Sequence, residues 1–530
     1  MRRFHSYGPV NPVFHFAVER RELIEQCVAQ LVGEPGEGGH YFTIWAPRQS
    51  GKTWIMRRAI EEIRARYGDR YAVGAMTLQG LYAPDAPVET FLDWVPQLVQ
   101  EAFSLDVPKP ASWGDWMQLF ARSGGAFDRP VILLLDEFDS LPPAAIDQLV
   151  SLFRKMYLER GVYHLHGLAF VGVRAVLGID SNRGSPFNVQ RSLHIPNLTA
   201  EEVRELFDQY QSESGQGVDP EVPALVFRET RGQPGLVGWL GELLTEKYNP
   251  GAEQPITPAV WHRVYSRACQ VEWNNTILNL IKKARGPYRA EVMKLFTDPN
   301  VPFNLRVDWC NYLYMNGIID QAPGPVDPQN PDAEPSVCRF SSPFVQLNLY
   351  AALTDDMFGE RGPLLAIEPG DWLHDVFTPD ALCAPPLLDR YRGYLKRLKA
   401  RGIDPWRGQP RRQDLHFTEA VGHFHLYAWL RDSVGRRCSI SPEFPTGNGK
   451  VDLVLRTREH TALIEVKSFI DMYELQKGQA QAAAYAKKLG LGIATLAVFA
   501  PVEDDDVLAK LSGEAEIDGV KVITVAFGWV

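Results

Sequence analysis

The chain has 530 residues, of which 45% are hydrophobic and 23% charged, and its formal net charge is −10. This length exceeds what one hydrophobic core supports, so three or four domains are expected. The composition excludes a disordered or fibrous chain, no apolar run is long enough to span a membrane, and the acidic balance confines any nucleic-acid footprint to a local patch.

Six cysteines (Cys27, Cys269, Cys310, Cys338, Cys383 and Cys438) are scattered with no Cys-x-x-Cys pair. That argues against a disulfide framework or zinc knuckle and fits a reducing cytosol. Met1-Arg2-Arg3-Phe4-His5 is basic, but no apolar segment follows, so no secretory signal and a cytoplasmic location are expected. There is no internal repeat and no low-complexity tract.

His-Tyr-Phe-Thr-Ile-Trp, residues 40 to 45, reads as a strand. Ala46-Pro47-Arg48-Gln49-Ser50-Gly51-Lys52-Thr53 follows, and Trp54 to Tyr67 reads as a helix. Strand, loop and helix in this order form a phosphate-binding context. The Pro47–Thr53 loop, through the backbone N–H groups of Arg48 to Thr53, and the helix N-terminus would cradle phosphates. Lys52 would reach the β- and γ-phosphates of ATP, and Thr53 would ligate Mg²⁺. Ala46 stands where the usual pattern has its first glycine.

Val131 to Leu135 is an unbroken apolar run, expected of a strand buried on both faces, and it ends in Asp136-Glu137. Asp136 is placed to hold Mg²⁺ through water, and Glu137 to polarise the attacking water. Leu168 to Arg174 reads as another strand; Arg174 either senses the γ-phosphate or is a surface arginine. Thr199 with Glu202 predicts a capping box, and Thr230-Arg231-Gly232-Gln233-Pro234-Gly235 opens a further helix.

On these motifs, residues 1 to 245 resemble AAA-like P-loop ATPases of the archaeal-type and STAND-like group. The resemblance implies a parallel sheet with lid helices and use of ATP and Mg²⁺. It places Pro234 beside the nucleotide through the Gly-x-Pro turn. Tyr7-Gly8-Pro9-Val10, with Phe14-His15-Phe16 and Arg20, then flanks the adenine or forms an arm packed on the sheet. Arg183 and Arg191 are candidate fingers acting on a neighbour in an ATP-dependent homo-oligomer.

Residues 246 to 355 read differently. Val260 to Ala284 is expected to be helical, Leu305 to Asn316 is another helix, and Val337-Cys338-Arg339-Phe340 is a candidate wing strand. This resembles the winged-helix lid that often follows such an ATPase. Lys282, Lys283, Arg285, Arg289 and Lys294 give a local basic face, suited to phosphates or merely part of a structural lid. Residues 356 to 410, with many prolines and glycines and a basic helix from Arg390 to Arg401, read as a connector.

In residues 411 to 530, Gly449 to Leu455 and Ala462 to Lys467 read as adjacent strands after the turn signal Asn448-Gly449. Glu465 and Lys467, two apart, share a face, and Asp452 stands on the neighbouring strand. Two carboxylates suit Mg²⁺, and a nearby lysine suits a developing negative charge. The alternative is an exposed cross-strand ion pair. A helix from Leu415 to Leu430 carries Glu419 near its start, and Gln476 to Leu489 carries Gln479, Gln481 and Tyr485.

The succession resembles the PD-(D/E)xK nuclease superfamily, an α/β restriction-endonuclease-like fold. The resemblance makes Asp452, Glu465 and Lys467 the catalytic core, with Asp452 and Glu465 as ligands of Mg²⁺ or Mn²⁺. It adds Glu419 as a supporting acid and Gln481 as the glutamine four before Tyr485, with Gln479 as a weaker alternative. The expectation for the whole chain is an α/β protein in which an ATPase gates cleavage of DNA, or less favourably RNA, with no membrane partner. Such arrangements are associated with prokaryotic defence against mobile elements. The rival is an ATP-driven switch whose nuclease-like domain only binds.

Overall fold

The computed structural model describes residues 1–34, 38–82, 86–172, 192–296, 298, 300–324, 335–358, 365–406, 419–443, 452–457 and 459–529, without the side chains of residues 419, 420, 443 and 452. The chain divides into two compact units, Met1–Ala268 with Met315–Gly317, and Cys269–Tyr314 with Ile318–Val530. This differs from the four-part division read from sequence, with boundaries at 245, 355 and 410.

The first unit contains α1 (Arg21–Val32), β1 (Tyr41–Trp45), α2 (Lys52–Tyr67), β2 (Ala72–Thr77), α3 (Thr90–Phe103), α4 (Trp113–Gln118), β3 (Val131–Asp136), α5 (Pro143–Leu158), β4 (Leu165–Gly172), β5 (Ser192–His194), α6 (Ala200–Ser214), α7 (Glu221–Thr230) and α8 (Pro234–Glu242), and α9 (Pro258–Gln270) leads out of it. The strands form a parallel sheet in the order β2-β3-β4-β1-β5. Alternation along β3 explains its continuous apolar sequence. Val131, Leu133 and Leu135 face the layer of α3, α4 and α5, whereas Ile132 and Leu134 face α1 and α2.

The capping box at Thr199 forms as expected: Thr199 Oγ1 accepts from Glu202 N at 3.1 Å, and Glu202 accepts from Thr199 N at 2.8 Å. The N-terminal arm packs on lid helices rather than on the sheet. The ring of Phe4 lies 4.8 Å from Phe207 of α6, Ser6 Oγ donates to Glu242 of α8, and Arg20 holds Pro196 O, Asn197 O and Glu202.

The second unit contains α10 (Asn275–Ala284), α11 (Arg289–Leu295), α12 (Asp308–Met315), β6 (Ile319–Pro323), β7 (Ser336–Phe340), α13 (Pro343–Phe358), α14 (Ala384–Ala400), α15 (Glu419–Val434), β8 (Ser439–Glu443), β9 (Asp452–Arg456), β10 (Thr461–Ser468), α16 (Met472–Lys488), β11 (Ile493–Ala500), α17 (Asp505–Leu511), β12 (Gly513–Ile517) and β13 (Val520–Gly528). The single helix expected over Val260 to Ala284 is two helices. Asn274 caps α10 by accepting from Thr276 N and Ile277 N, and this starts a new helix. Val337 to Phe340, read as a candidate wing strand, lie in β7, which pairs antiparallel with β6.

Three residues of the expected basic face make contacts while staying partly exposed. Arg285 pairs with Asp356, Lys294 with Asp298, and Lys283 lies over the Tyr312 ring.

The larger sheet runs β12-β13-β11-β10-β9-β8, with a parallel centre and antiparallel edges. α16 covers the face carrying Leu463, Leu496 and Val522, and the other face bears Phe499 and Phe527. The segment read as a connector supplies α14 to that other face. Tyr391 is fully buried beside Phe527, Trp429 and His425. α15 is held between two helices by paired polar groups: Tyr350 of α13 bonds His423, and Tyr391 Oη bonds His425 Nδ1 at 2.6 Å.

Candidate functional site

At the C-terminal end of β1 the chain turns through Ala46–Gly51 into α2. Gly51, the N-cap, has φ 86°, a left-handed conformation that glycine adopts without the Cβ clash other residues meet. Gln49 also lies in this region, at φ 59°. Ala46 is fully buried and lacks a positive φ, so replacing the usual first glycine costs the turn nothing.

Lys52 is buried, and its Nζ donates to Ala46 O at 2.9 Å and Pro47 O at 2.8 Å. Burial pulls its ammonium pKa down, against the attraction of Glu137, Asp139 and Asp136. Ser50 Oγ closes the loop by donating to Pro47 O at 2.8 Å.

The strand order places β4 between β1 and β3, yet the first turn of α2, which follows β1, reaches the end of β3 through a side chain. Thr53 Oγ1 donates to Asp136 Oδ2 at 3.1 Å, and Glu137 N donates to Asp136 Oδ1 at 3.0 Å. Burial raises the Asp136 pKa, opposed by these two bonds. Glu137 takes the backbone conformation φ 55°, ψ 37°, a costly choice for a non-glycine residue and one concentrated at functional sites. Burial, and then the charges of Asp139 and Asp136, raise its carboxyl pKa.

The 230–235 turn docks on the same loop. Gln233 Nε2 donates to Arg48 O at 3.1 Å, its Oε1 accepts from Leu236 N at 2.6 Å, and Gly235 N donates to Gln49 O at 3.1 Å. A Cβ at Gly235 would stand 2.5 Å from Gln49 Oε1. Pro234 itself is the first residue of α8, so its neighbours Gln233 and Gly235 make the loop contacts, which the Gly-x-Pro-Gly spelling signals only indirectly. Arg174, Arg183 and Arg191 lie outside the described residues.

In the second unit, β9 and β10 pair antiparallel with Asp452 directly opposite Glu465, and β8 adds Glu443 opposite Asp452. Glu443 had no signal in the sequence reading, because its register depends on pairing across residues 444–451. Glu465 and Lys467 are 3% and 6% exposed and form an ion pair with each other. The alternative of an exposed cross-strand pair is therefore replaced by a buried pair along one strand. α16 approaches this pair through Gly478, where a Cβ would meet Lys467 Cγ at 3.2 Å. Gln481 lies on the exposed side of α16, whereas Gln479 is half-buried and donates to Thr524 Oγ1 at 3.0 Å. Glu419 begins α15. Among the described residues no group of three or more His, Cys, Asp or Glu side chains is placed to hold a metal ion, and no helix is long and apolar enough to cross a membrane.

No family model matches the chain, and no curated protein matches it either. Solved structures similar to it include three from different organisms. A Walker-type ATPase of Pyrococcus abyssi is 13% identical, covering 65% of this chain and 99% of its own, with a TM-score of 0.45. The Holliday junction branch migration motor RuvB of Thermotoga maritima is 13% identical over 57% of this chain and 90% of its own, at 0.32. The ORC1 protein of Aeropyrum pernix in complex with DNA is 15% identical over 65% of this chain and 94% of its own, at 0.31. These scores are too low for the likeness to carry weight. What the first unit displays by its own geometry is an α/β P-loop arrangement: a parallel sheet, a lysine-bearing loop at the end of one strand, and a carboxylate pair at the end of another.

Proposed function

We propose that the chain binds and hydrolyses ATP at the 46–53 loop, and that nucleotide state controls a metal-dependent nuclease, carried by β9 and β10, that cleaves DNA. The observation that carries the first half is the bond between Thr53 and Asp136, which joins two motifs 83 residues apart beside the Lys52 ammonium. The donor set fits a Mg²⁺-nucleotide: a hydroxyl, a carboxylate, a buried cation and a left-handed glycine at a helix N-terminus. Bound with ATP, Mg²⁺ would screen the charge of the β- and γ-phosphates.

Lys52 would exchange its two carbonyl acceptors for phosphate oxygens. Thr53 and Asp136 would orient around the phosphates, and Glu137 would accept a hydrogen bond from the attacking water. Gln233 and Gly235, bonded to loop carbonyls, would carry a change in the loop to α8.

For the second half, the support is the register of Asp452 with Glu465 and the burial of Lys467 beside it. Asp452 and Glu465 would hold the metal ion, and Lys467 would offset charge that develops on the scissile phosphate. The nucleic acid is taken as DNA, cut in the cytoplasm, with association of ATP-bound copies through Arg174, Arg183 or Arg191. A role in defence against mobile elements is the biological setting proposed. The closed Glu465–Lys467 pair favours a second reading, in which this unit holds nucleic acid without cutting it.

Calorimetry with ATP and Mg²⁺ tests the first half: no binding by the purified chain overturns it. A panel of single- and double-stranded DNA and RNA, with Mg²⁺ or Mn²⁺ and with or without ATP, separates the readings of the second. Cleavage abolished by Asp452→Ala supports the nuclease, and binding without cleavage supports the second reading.

A further inference from the structure

We propose that Cys310 and Cys338 form a reversible dithiol that a hydroperoxide closes to a disulfide, stapling α12 to β7. The two sulfurs stand 3.7 Å apart, and their residues are 0% and 5% exposed. Spacing in the sequence gives no hint of this, since the residues are 28 positions apart. Tertiary structure brings them together through the segment beside β7. Cys338 N donates to Val301 O at 2.8 Å and Phe303 N to Ser336 O at 2.9 Å.

That segment also makes the two thiols unequal. Cys310 Sγ receives Asn304 N–H at 3.4 Å, while Cys338 Sγ has Pro302 O as an acceptor at 3.4 Å. Donors aimed at Cys310 favour its thiolate and lower its pKa, and Cys338, bonded to Cys310 and buried, keeps its proton. Cys27 and Cys438 are different: burial pushes their thiols up to about 12 and about 11, and neither has a cysteine partner.

The chemistry follows from this asymmetry. The Cys310 thiolate attacks one peroxide oxygen, the O–O bond breaks, and the leaving oxygen departs as water or alcohol after taking a proton. Cys310 is then a sulfenic acid. Cys338 sulfur attacks the Cys310 sulfur, the S–O bond breaks, and water leaves with the Cys338 proton. The two sulfurs lose two electrons, and the hydroperoxide gains them. Bonding requires the sulfurs to close to about 2.05 Å, a small movement of β7 against α12. Because both thiols are buried, the rate follows local opening of the β6–β7 hairpin and is slower than at an exposed thiol.

The test treats the full chain with hydrogen peroxide, blocks free thiols, and maps peptides by mass spectrometry. The expected product is a Cys310–Cys338 linked peptide lacking two hydrogen atoms, reversed by a dithiol reductant, with an upward shift in thermal midpoint of the oxidised protein. Cys338→Ala is expected to carry Cys310 on to sulfinic acid, and Cys310→Ala to leave Cys338 reduced. Wild-type protein in which Cys269 and Cys383 are oxidised while no Cys310–Cys338 peptide forms overturns the proposal; so does Cys338→Ala in which Cys310 stays unmodified. The wild-type mapping stands even if a variant fails to fold.

Discussion

Lys52 and Glu137 sit within one constellation but have separable roles. Lys52 is buried and bonded to two loop carbonyls, so Lys52→Ala removes the cation meant for phosphate. ATP affinity measured by calorimetry is expected to fall by about 100-fold or more, roughly 3 kcal/mol. Glu137→Gln keeps the size of the side chain and the charge of Lys52. It is expected to retain ATP binding and lose turnover, as measured by phosphate release. In the second unit, Asp452→Ala is expected to lose metal binding and cutting together, whereas Lys467→Ala keeps most metal binding and loses rate.

A different residue sets a pH limit on stability. Burial holds the His425 pKa at about 3, below its ordinary 6.5. The unfolded chain therefore takes up a proton near pH 6.5 while the folded protein does not. The stabilisation is complete above 6.5 and is lost as pH falls from there towards 3, by about 1.4 kcal/mol per pH unit. His425→Gln is expected to flatten that slope in urea titrations followed by tryptophan fluorescence between pH 7 and 4.

At the scale of elements, the contact between the 230–235 turn and the phosphate loop has the clearest consequence. Gly235 leaves no room for a side chain, because a Cβ there would stand 2.8 Å from Gln49 Cβ, which cannot swing away as the side-chain end can. Gly235→Leu is expected to displace the turn and weaken ATP affinity while leaving the sheet intact, measured by calorimetry alongside circular dichroism. The sheet depends on β3, whose apolar residues serve both of its layers. Leu133→Ala is expected to cost about 2–5 kcal/mol, read as a loss of urea midpoint. α14 shows why composition misleads about an element's role. Its prolines, glycine and basic residues read as a connector, yet Leu387, Leu388 and Tyr391 are fully buried on the larger sheet. Proline at the start of a helix is compatible with order, and α14 begins with Ala384-Pro385-Pro386.

For the whole molecule, the two sites belong to different compact units, so Asp452→Ala is expected to leave ATP turnover nearly unchanged. Association is the second prediction at this scale. Glu137→Gln saturated with ATP is expected to sediment as an oligomer, and an unchanged monomer mass in analytical ultracentrifugation counts against trans-acting arginines.

The parallel-sheet unit and its loop were legible from residue order alone, because their signals are local. A strand, loop and helix in succession, a continuous apolar strand ending in Asp136-Glu137, and Thr199 three before Glu202 each act within a few residues of chain. Residue order also carried the Glu465-x-Lys467 face, since side chains alternate along any strand. Where remote segments meet emerged from the folded chain. The register that aligns Asp452 with Glu465, the docking of Gln233 on Arg48 O, the pairing of Arg285 with Asp356, and the nearness of Cys310 to Cys338 all join positions separated along the chain. The reason is physical: propensity and periodicity act through neighbouring backbone, whereas these contacts follow from which apolar faces must share a core, and that is settled by the packing of the whole chain.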